Sequence, residues 1–314
     1  MDPEVSVVVA SQARETRLRT LLDALAEQTL RAEQREVVVA HTYDAAAAGR
    51  LFAGRDVREV RVDPARARPS VQREAGWRAA RGELVAFTDD DCRPRPDWLE
   101  RLVAVARRRP GDIVQGATHP DPREVHHFQR AHFSALAVEP PADTMQTCNI
   151  LYPRALLERV GGFDERAVTG EDIDLGWRAR ATRAALAPAP DAVVYHAIEP
   201  LSAIGKVRSQ LKWRHLAYVV RKHPHLREAC EWGVWWKPEH PRATLALLAL
   251  AGARRHPLLL AGAIPYVRLE RWRHGPSRRQ QARSLMELPT HLAVELAEVA
   301  TFAAGSVRYR SLLL

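Results

Sequence analysis

Long hydrophobic runs are missing from this chain of 314 residues. The two longest apolar stretches, Ala243 to Ala253 and Pro257 to Val267, each span about 11 residues, well short of the roughly 20 that a bilayer-crossing helix needs. The start, Met1-Asp2-Pro3-Glu4, has neither the basic residues nor the apolar stretch of a secretory signal, so a cytoplasmic location is expected. Cysteine is scarce: Cys92, Cys148 and Cys230 are scattered with no Cys-x-x-Cys pair, which suits neither a disulfide framework nor a zinc site. They read as reduced core or loop residues. After the first apolar run stands Ala10-Ser11-Gln12-Ala13-Arg14, where a dinucleotide-binding oxidoreductase would carry Gly-x-Gly-x-x-Gly. Phosphate-loop and Gly-x-Ser-x-Gly signatures are absent as well. No internal repeat is visible.

What is present suits a globular protein. With 46% hydrophobic and 27% charged residues the chain can fill one large core, or one domain plus a smaller helical one. The formal charge of +9 is unevenly spread: Leu201 to Arg283 holds 17 Lys/Arg against 4 Asp/Glu, so the remainder is net acidic. Such a basic stretch can serve nucleic acid, but no helix-turn-helix, RNA-binding aromatic signature or zinc finger accompanies it, and long Ala/Leu runs do not track phosphates.

The first 200 residues alternate β-branched runs with amphipathic stretches, the pattern of strand-helix-strand units and a mainly parallel sheet flanked by helices. Strands are expected at Val5 to Val9, Glu36 to Ala40, Val57 to Val62, Leu84 to Thr88, Ile113 to Thr118 and Ala192 to His196. Helices are expected at Arg14 to Gln28, at Ser70 to Ala80 with Ser70 as N-cap, after an Asp97 cap through Trp98 and Val105, at Arg154 to Val160 closed by Gly161-Gly162, and at Ile173 to Arg183. Beyond Pro200 the character turns to long helical stretches, beginning with Ile204 to Lys222, so the expected domains are 1–200 and a basic helical region, 201–314.

Chemistry is suggested where the fourth strand runs into Asp89-Asp90-Asp91. Adjacent carboxylates raise one another's pKa, and a divalent cation would relieve them. Open α/β sheets bind ligands at the carboxyl ends of their strands, and hard oxygen ligands suit Mg²⁺ or Mn²⁺. An isolated Asp run is more often a solvated turn, so context decides.

That context resembles the family 2 glycosyltransferases: strand Val5 to Val9, the helix end from Arg73 to Gly82, Glu83 to Thr88 and the Asp triplet. It continues through Thr147-Cys148-Asn149, Val160-Gly161-Gly162-Phe163-Asp164-Glu165, Gly170-Glu171-Asp172-Ile173-Asp174-Leu175 and Arg178, covering roughly residues 5 to 196. The resemblance implies the A-type nucleotide-sugar transferase fold and an inverting hexosyltransferase that uses a nucleoside-diphosphate sugar. It implies Asp89, Asp90, Asp91, Thr42 and Arg73 as donor-binding residues, and a Mn²⁺ or Mg²⁺ site with Asp91 as direct ligand and His196 completing it. Asp172 of the Glu-Asp motif is the implied catalytic base, with the helix dipole expected to keep it ionised. Arg178 is expected on an exposed helix face, either solvated or paired with Asp174.

Two departures stand out. Family members usually place an acid just after the second strand to hold the nucleobase, whereas here the sequence is Ala40-His41-Thr42-Tyr43 and the nearest acid is Asp44. The Gln-x-x-Arg-Trp motif of processive relatives is matched only by Gln210-Leu211-Lys212-Trp213-Arg214, with Trp and Arg exchanged. Trp232, Trp235 and Trp236 with Arg254, Arg255, Arg268, Arg271 and Arg273 flank the apolar runs as expected of helices lying in a headgroup layer. The expectation is therefore a peripheral protein on the inner face of the cell membrane, with a saccharide, lipid-linked or small-molecule acceptor and no nucleic acid. A helical subdomain packed on protein is the competing reading of that region. A noncatalytic module assembling a membrane-surface complex is the competing function.

Overall fold

The structure is a computed structural model that describes residues 2–130 and 132–314. It divides into two compact units, Met1–Gln129 with Ser134–Glu199, and Arg130–Phe133 with Pro200–Leu314.

The first unit is built on a sheet of eight strands: β1 (Val5–Ser11), β2 (Arg35–His41), β3 (Arg58–Arg61), β4 (Leu84–Asp89), β5 (Cys92–Pro94), β6 (Ile113–Pro120), β7 (Asn149–Pro153) and β8 (Leu186–His196). Their spatial order is β3-β2-β1-β4-β7-β6-β8-β5. The β3-β2-β1-β4 half is parallel throughout, as is β6 with β8, while β7 runs antiparallel to both its neighbours and β5 antiparallel to β8. Strands buried on both faces carry near-continuous apolar runs, and β1 does so: Val5, Val7 and Val9 face one core, Val8 the other.

Among the described residues six helices cover the two faces: α1 (Glu15–Ala26), α2 (Ala45–Phe52), α3 (Pro69–Ala79), α4 (Trp98–Arg108), α5 (Arg154–Val160) and α6 (Glu171–Ala181). Leu18, Leu21, Leu22 and Leu25 of α1, Leu51 and Phe52 of α2, and Trp98, Leu99 and Leu102 of α4 pack into one core. Trp77 of α3, Leu157 of α5 and Leu175 of α6 fill the other.

Several local expectations are corrected. Helix α3 starts one residue early, with Pro69 preset for the first turn and Arg68 in the N-cap position, so Ser70 lies inside the helix with its hydroxyl buried. Asp97 occupies the N-cap position of α4 but makes no capping hydrogen bond; its carboxylate pairs with Arg95 and Arg101 instead. Helix α6 begins at Glu171, and β8 is 11 residues long rather than a short terminal strand.

The second unit holds α7 (Ala203–Gln210), α8 (Leu216–Lys222), α9 (Glu239–Gly252), α10 (Ile264–Glu270), α11 (Arg278–Met286) and α12 (Leu288–Tyr309). A 3₁₀ segment, Leu211–His215, breaks the single helix expected from Ile204 to Lys222. Among the described residues no helix is long and apolar enough to cross a membrane.

Candidate active site

Parallel pairing sets β1 and β4 in register, Ala10 opposite Asp89, so both strands deliver their carboxyl ends to the same edge of the sheet. Asp89 closes β4, and Asp90 and Asp91 form the turn into β5. The short β5 then pairs with the end of β8, Cys92 opposite His196, which brings His196 beside the turn.

Each carboxylate of the triplet meets a different environment. Asp89 Oδ1 accepts from Nη2 of buried Arg73 at 2.7 Å. Burial opposes ionisation there, but Arg73 and His196 outweigh it and hold the Asp89 carboxyl below its ordinary value. Asp90 is buried and turned inward, accepting from Ser11 Oγ at 2.7 Å and from Arg14 Nη1 at 3.4 Å. Burial pushes its carboxyl up to about 6; Asp91 adds to the rise, and the Ser11 and Arg14 contacts oppose it. Asp91 faces outward, with Oδ2 2.5 Å from Arg14 Nη1 and Oδ1 3.4 Å from His196 Nε2.

Arg73 reaches further: its Nη1 donates to Glu171 Oε1 at 2.5 Å. A single buried guanidinium from α3 therefore ties the end of β4 to the head of α6. Burial disfavours its charge, but Asp89, Glu171 and Asp172 raise its pKa above the ordinary arginine value, so it stays a cation.

Three acids crowd the first turn of α6, entered through the left-handed Gly170 at φ 77°. Glu171 is held by Arg73, and fully buried Asp174 by Arg178 at 2.9 Å. Arg178 is not on an exposed face as expected; it also donates to the carbonyls of Val160 and Gly162, locking α6 onto the Gly161-Gly162 turn. Asp172 makes no ion pair among the described residues, and its Oδ1 accepts only from the adjacent Ile173 N–H at 2.9 Å. Burial, then the Glu171 charge, push its carboxyl up to about 7 against the pull of Arg73. Burial beside Glu171 thus works against the helix dipole that was expected to keep Asp172 ionised.

His196 Nδ1 lies 3.0 Å from the Ala197 carbonyl. With Nδ1 turned to that carbonyl, Nε2 points at Asp91, and the carboxylate and the ring nitrogen lie close enough together to share a divalent ion. Cys92 Sγ lies within the same cluster, but the thiol is buried and its pKa is raised well above the ordinary value by burial and by Asp89 and Asp91, so it stays protonated.

At the end of β2, Thr42 is half-buried, and Asp44 is spent on the N-cap of α2, accepting from Ala47 N–H at 2.8 Å. Tyr43 and Arg14 were not singled out by the sequence reading. The Tyr43 hydroxyl lies 2.8 Å from Ser11 Oγ and accepts the Arg14 N–H at 3.1 Å, and together with Ala13, Glu15, Thr16 and Arg17 these two residues line a shallow depression. Their only signal was position, in the first strand-to-helix loop. Asn149, one of the residues carrying the resemblance, is structural here: it accepts from the Trp98 indole at 2.8 Å and donates to the carbonyls of Ala117 and Ala192.

Residues 6–163 match the family model described as "Glycosyl transferase family 2". The chain is 32% identical over 144 residues to a pre-mycofactocin glycosyltransferase of Mycobacterium tuberculosis, a match covering 41% of this chain and 30% of that protein. It is 26% identical over 277 residues to a validoxylamine A glucosyltransferase of Streptomyces hygroscopicus, covering 74% and 59% respectively. The chain thus spans only about a third to three-fifths of these relatives. Among solved structures, the mannosyltransferase PcManGT of Pyrobaculum calidifontis, in complex with GDP-Man and Mn²⁺, superposes with a TM-score of 0.59 at 20% identity, covering 99% of this chain and 88% of that one. Residues 1–349 of S. aureus TarS superpose with a TM-score of 0.53 at 15% identity, covering 99% and 91%. These likenesses bear out the expected A-type nucleotide-sugar transferase fold.

Proposed function

The chain belongs to glycosyl transferase family 2, and from that premise we propose that it moves a sugar from a nucleoside-diphosphate sugar to an acceptor hydroxyl with inversion at the anomeric carbon. The observation that carries this reading is the Arg73 bridge, which joins the Asp89 strand end to the Glu171-Asp172 helix start in one acidic site.

Asp172 is the base. With its carboxyl pushed up to about 7, it is poised to accept a proton near neutral pH, where general bases work best. It removes the acceptor hydroxyl proton as the oxygen attacks the anomeric carbon. The bond from that carbon to the phosphate oxygen breaks, and its electron pair leaves on the nucleoside diphosphate. Glu171 and Asp174 are held by Arg73 and Arg178, which leaves Asp172 the acid available for this step.

Asp91 and His196 would hold a divalent ion. A carboxylate with an imidazole nitrogen suits Mn²⁺ better than Mg²⁺, which prefers oxygen ligands, and the Mn²⁺ and GDP-Man of the Pyrobaculum neighbour support the choice. Bound there, the ion supplies positive charge for the departing diphosphate. Arg14 pairs with Asp91 in this structure, and with an ion held by Asp91 its guanidinium would be available to the donor phosphates. Asp89 orients the donor, and Thr42 lies at the strand end where the nucleobase is read, since Asp44 is committed to capping α2. Asp90, buried on Ser11, shapes the turn rather than touching the donor. The acceptor is a lipid-linked or cell-envelope saccharide, met at a membrane surface that the basic second unit engages.

Asp172→Asn tests the assignment. Turnover should fall about 10² to 10⁴-fold, the usual contribution of a positioned base, while donor binding by calorimetry stays near wild type. Wild-type turnover in a correctly folded variant removes Asp172 from the mechanism.

A further inference from the structure

In most surface helices large apolar residues turn inward and small or polar ones outward. Helix α9 does the reverse. Its alanines Ala243, Ala246 and Ala249 are buried, while Leu247, Leu248 and Leu250 are exposed, Leu248 to 64%. The 3₁₀ segment Pro257–Ala263 returns alongside α9, and there Leu258 is 90% exposed, with Leu259 and Leu260 also open, as is Ile264 at the start of α10. The two arms meet through small residues: Gly262 lies so close to Ala249 that an added Cβ would come within 3.2 Å of the alanine Cβ. Small residues inside and leucines outside is the arrangement of helices packed in lipid.

Charge identifies the lipid. From Ala243 to Val267 there is no Asp or Glu, and exposed Arg254, Arg255 and His256 occupy the turn beside Leu258. Exposed Arg268 and the Arg271 guanidinium, stacked 4.3 Å over the Trp272 ring, lie just beyond. At 14 residues α9 is too short to span a bilayer, so the leucines fit a depth of headgroups and upper acyl chains.

We propose that the hairpin from Glu239 to Glu270 is a monotopic membrane anchor that inserts its leucines into a leaflet carrying anionic phospholipid, with Arg254 and Arg255 at the headgroups. This rests on the membrane-surface reading of the second unit and names the element and the lipid. A second copy of the chain is the competing occupant, but two such faces would bring Arg254 and Arg255 of both copies together, and the stretch from Ala243 to Val267 offers no acid to pair with them.

Flotation of the full chain with phosphatidylcholine vesicles, with and without phosphatidylglycerol, tests this without donor or metal. Binding should need phosphatidylglycerol and weaken at least tenfold in Arg254→Glu/Arg255→Glu, since each basic residue near an anionic surface contributes about fivefold and two are reversed. It should be lost in Leu248→Ser/Leu258→Ser, whose fold is checked by circular dichroism. If wild type ignores both vesicles, the membrane reading itself fails. If it binds and both double variants bind equally well, the membrane reading stands and the hairpin assignment is overturned. A dimer in light scattering that the leucine variant dissolves, without vesicle binding, assigns the face to a second copy.

Discussion

A raised carboxyl at Asp172 ties rate, pH and stability together. As a base it acts only when ionised, so kcat/KM should climb with pH and level off above an apparent pKa near 7. A pH-independent rate from 5 to 8 would contradict the assignment. The same shift makes the residue a stability liability. Between its ordinary value of 3.8 and about 7 the folded state holds the proton more tightly than the unfolded one, so this group's contribution to stability is lost as pH rises through that window. Asp172→Asn removes that loss and should melt higher than wild type at pH 8, by roughly 1–2 °C for each kcal/mol regained in a chain of 314 residues. An unchanged or lower melting point would mean the carboxylate is not penalised in the fold. Arg73 is the converse case. Replacing it by Met leaves Asp89 and Glu171 without their shared cation, and a broken buried pair costs about 3–5 kcal/mol, measurable as a lowered urea midpoint. A midpoint like wild type would show that the two acids find other partners. Asp91 and Asp172 were legible at this scale because acids concentrated at a strand end and a helix start are written in consecutive letters. Arg14 and Tyr43 were not: they act through contacts to residues far along the chain, and nothing in Ala13-Arg14 or Tyr43-Asp44 advertises that.

Among the elements, the strands with continuous β-branched runs were readable, because a parallel strand buried on both faces leaves that pattern. Three elements of the first unit escaped, among them β5, whose three residues are too few to leave a pattern. Half of helix α2 is alanine, Ala45 to Ala48, so it shows no apolar period, and its Asp44 cap stands out in the sequence only as the nearest acid after the second strand. Strand β7 is five residues long and follows an irregular segment, and Asn149 at its start looked like motif rather than strand. The longest misjudgement, β8, has Pro188 and Pro190 in its first half, residues that normally argue against a strand. The junction between α3 and α6 makes a prediction of its own. Glu74 accepts from the Trp77 indole and the Phe163 N–H, and Gly162 at φ 71° lies so close that an added Cβ would come 2.2 Å from Glu74 Oε2. Gly162→Ala should cost about 1–3 kcal/mol through backbone strain and overpacking, and α6 with Asp172 should shift. Unchanged chemical-denaturation stability would mean that the turn relaxes freely.

Across the whole molecule, family and fold were legible because the motifs recur in order over most of the first unit, which no single Asp run could have shown. The second unit was legible in its helical character and its charge, but not in its internal pairing. Its sequence reads as strongly basic, yet its interior holds acids: Glu298 accepts from Lys237 at 2.6 Å and lies 3.0 Å from His240, while Glu270 pairs with Arg273 and His291. Pairing over separations of up to 61 residues is invisible to a composition window. The most direct test of the central claim, nucleoside-diphosphate chemistry at the acidic edge, is a thermal-shift titration of wild type, Asp91→Ala and His196→Ala with GDP and UDP, with and without Mn²⁺. A ligand that binds only the folded state at 100 times its Kd adds about 2.7 kcal/mol. A Mn²⁺-dependent rise with at least one nucleotide in wild type, lost in both variants, is the predicted result; a rise that ignores Mn²⁺, or one that survives in both variants, would contradict it.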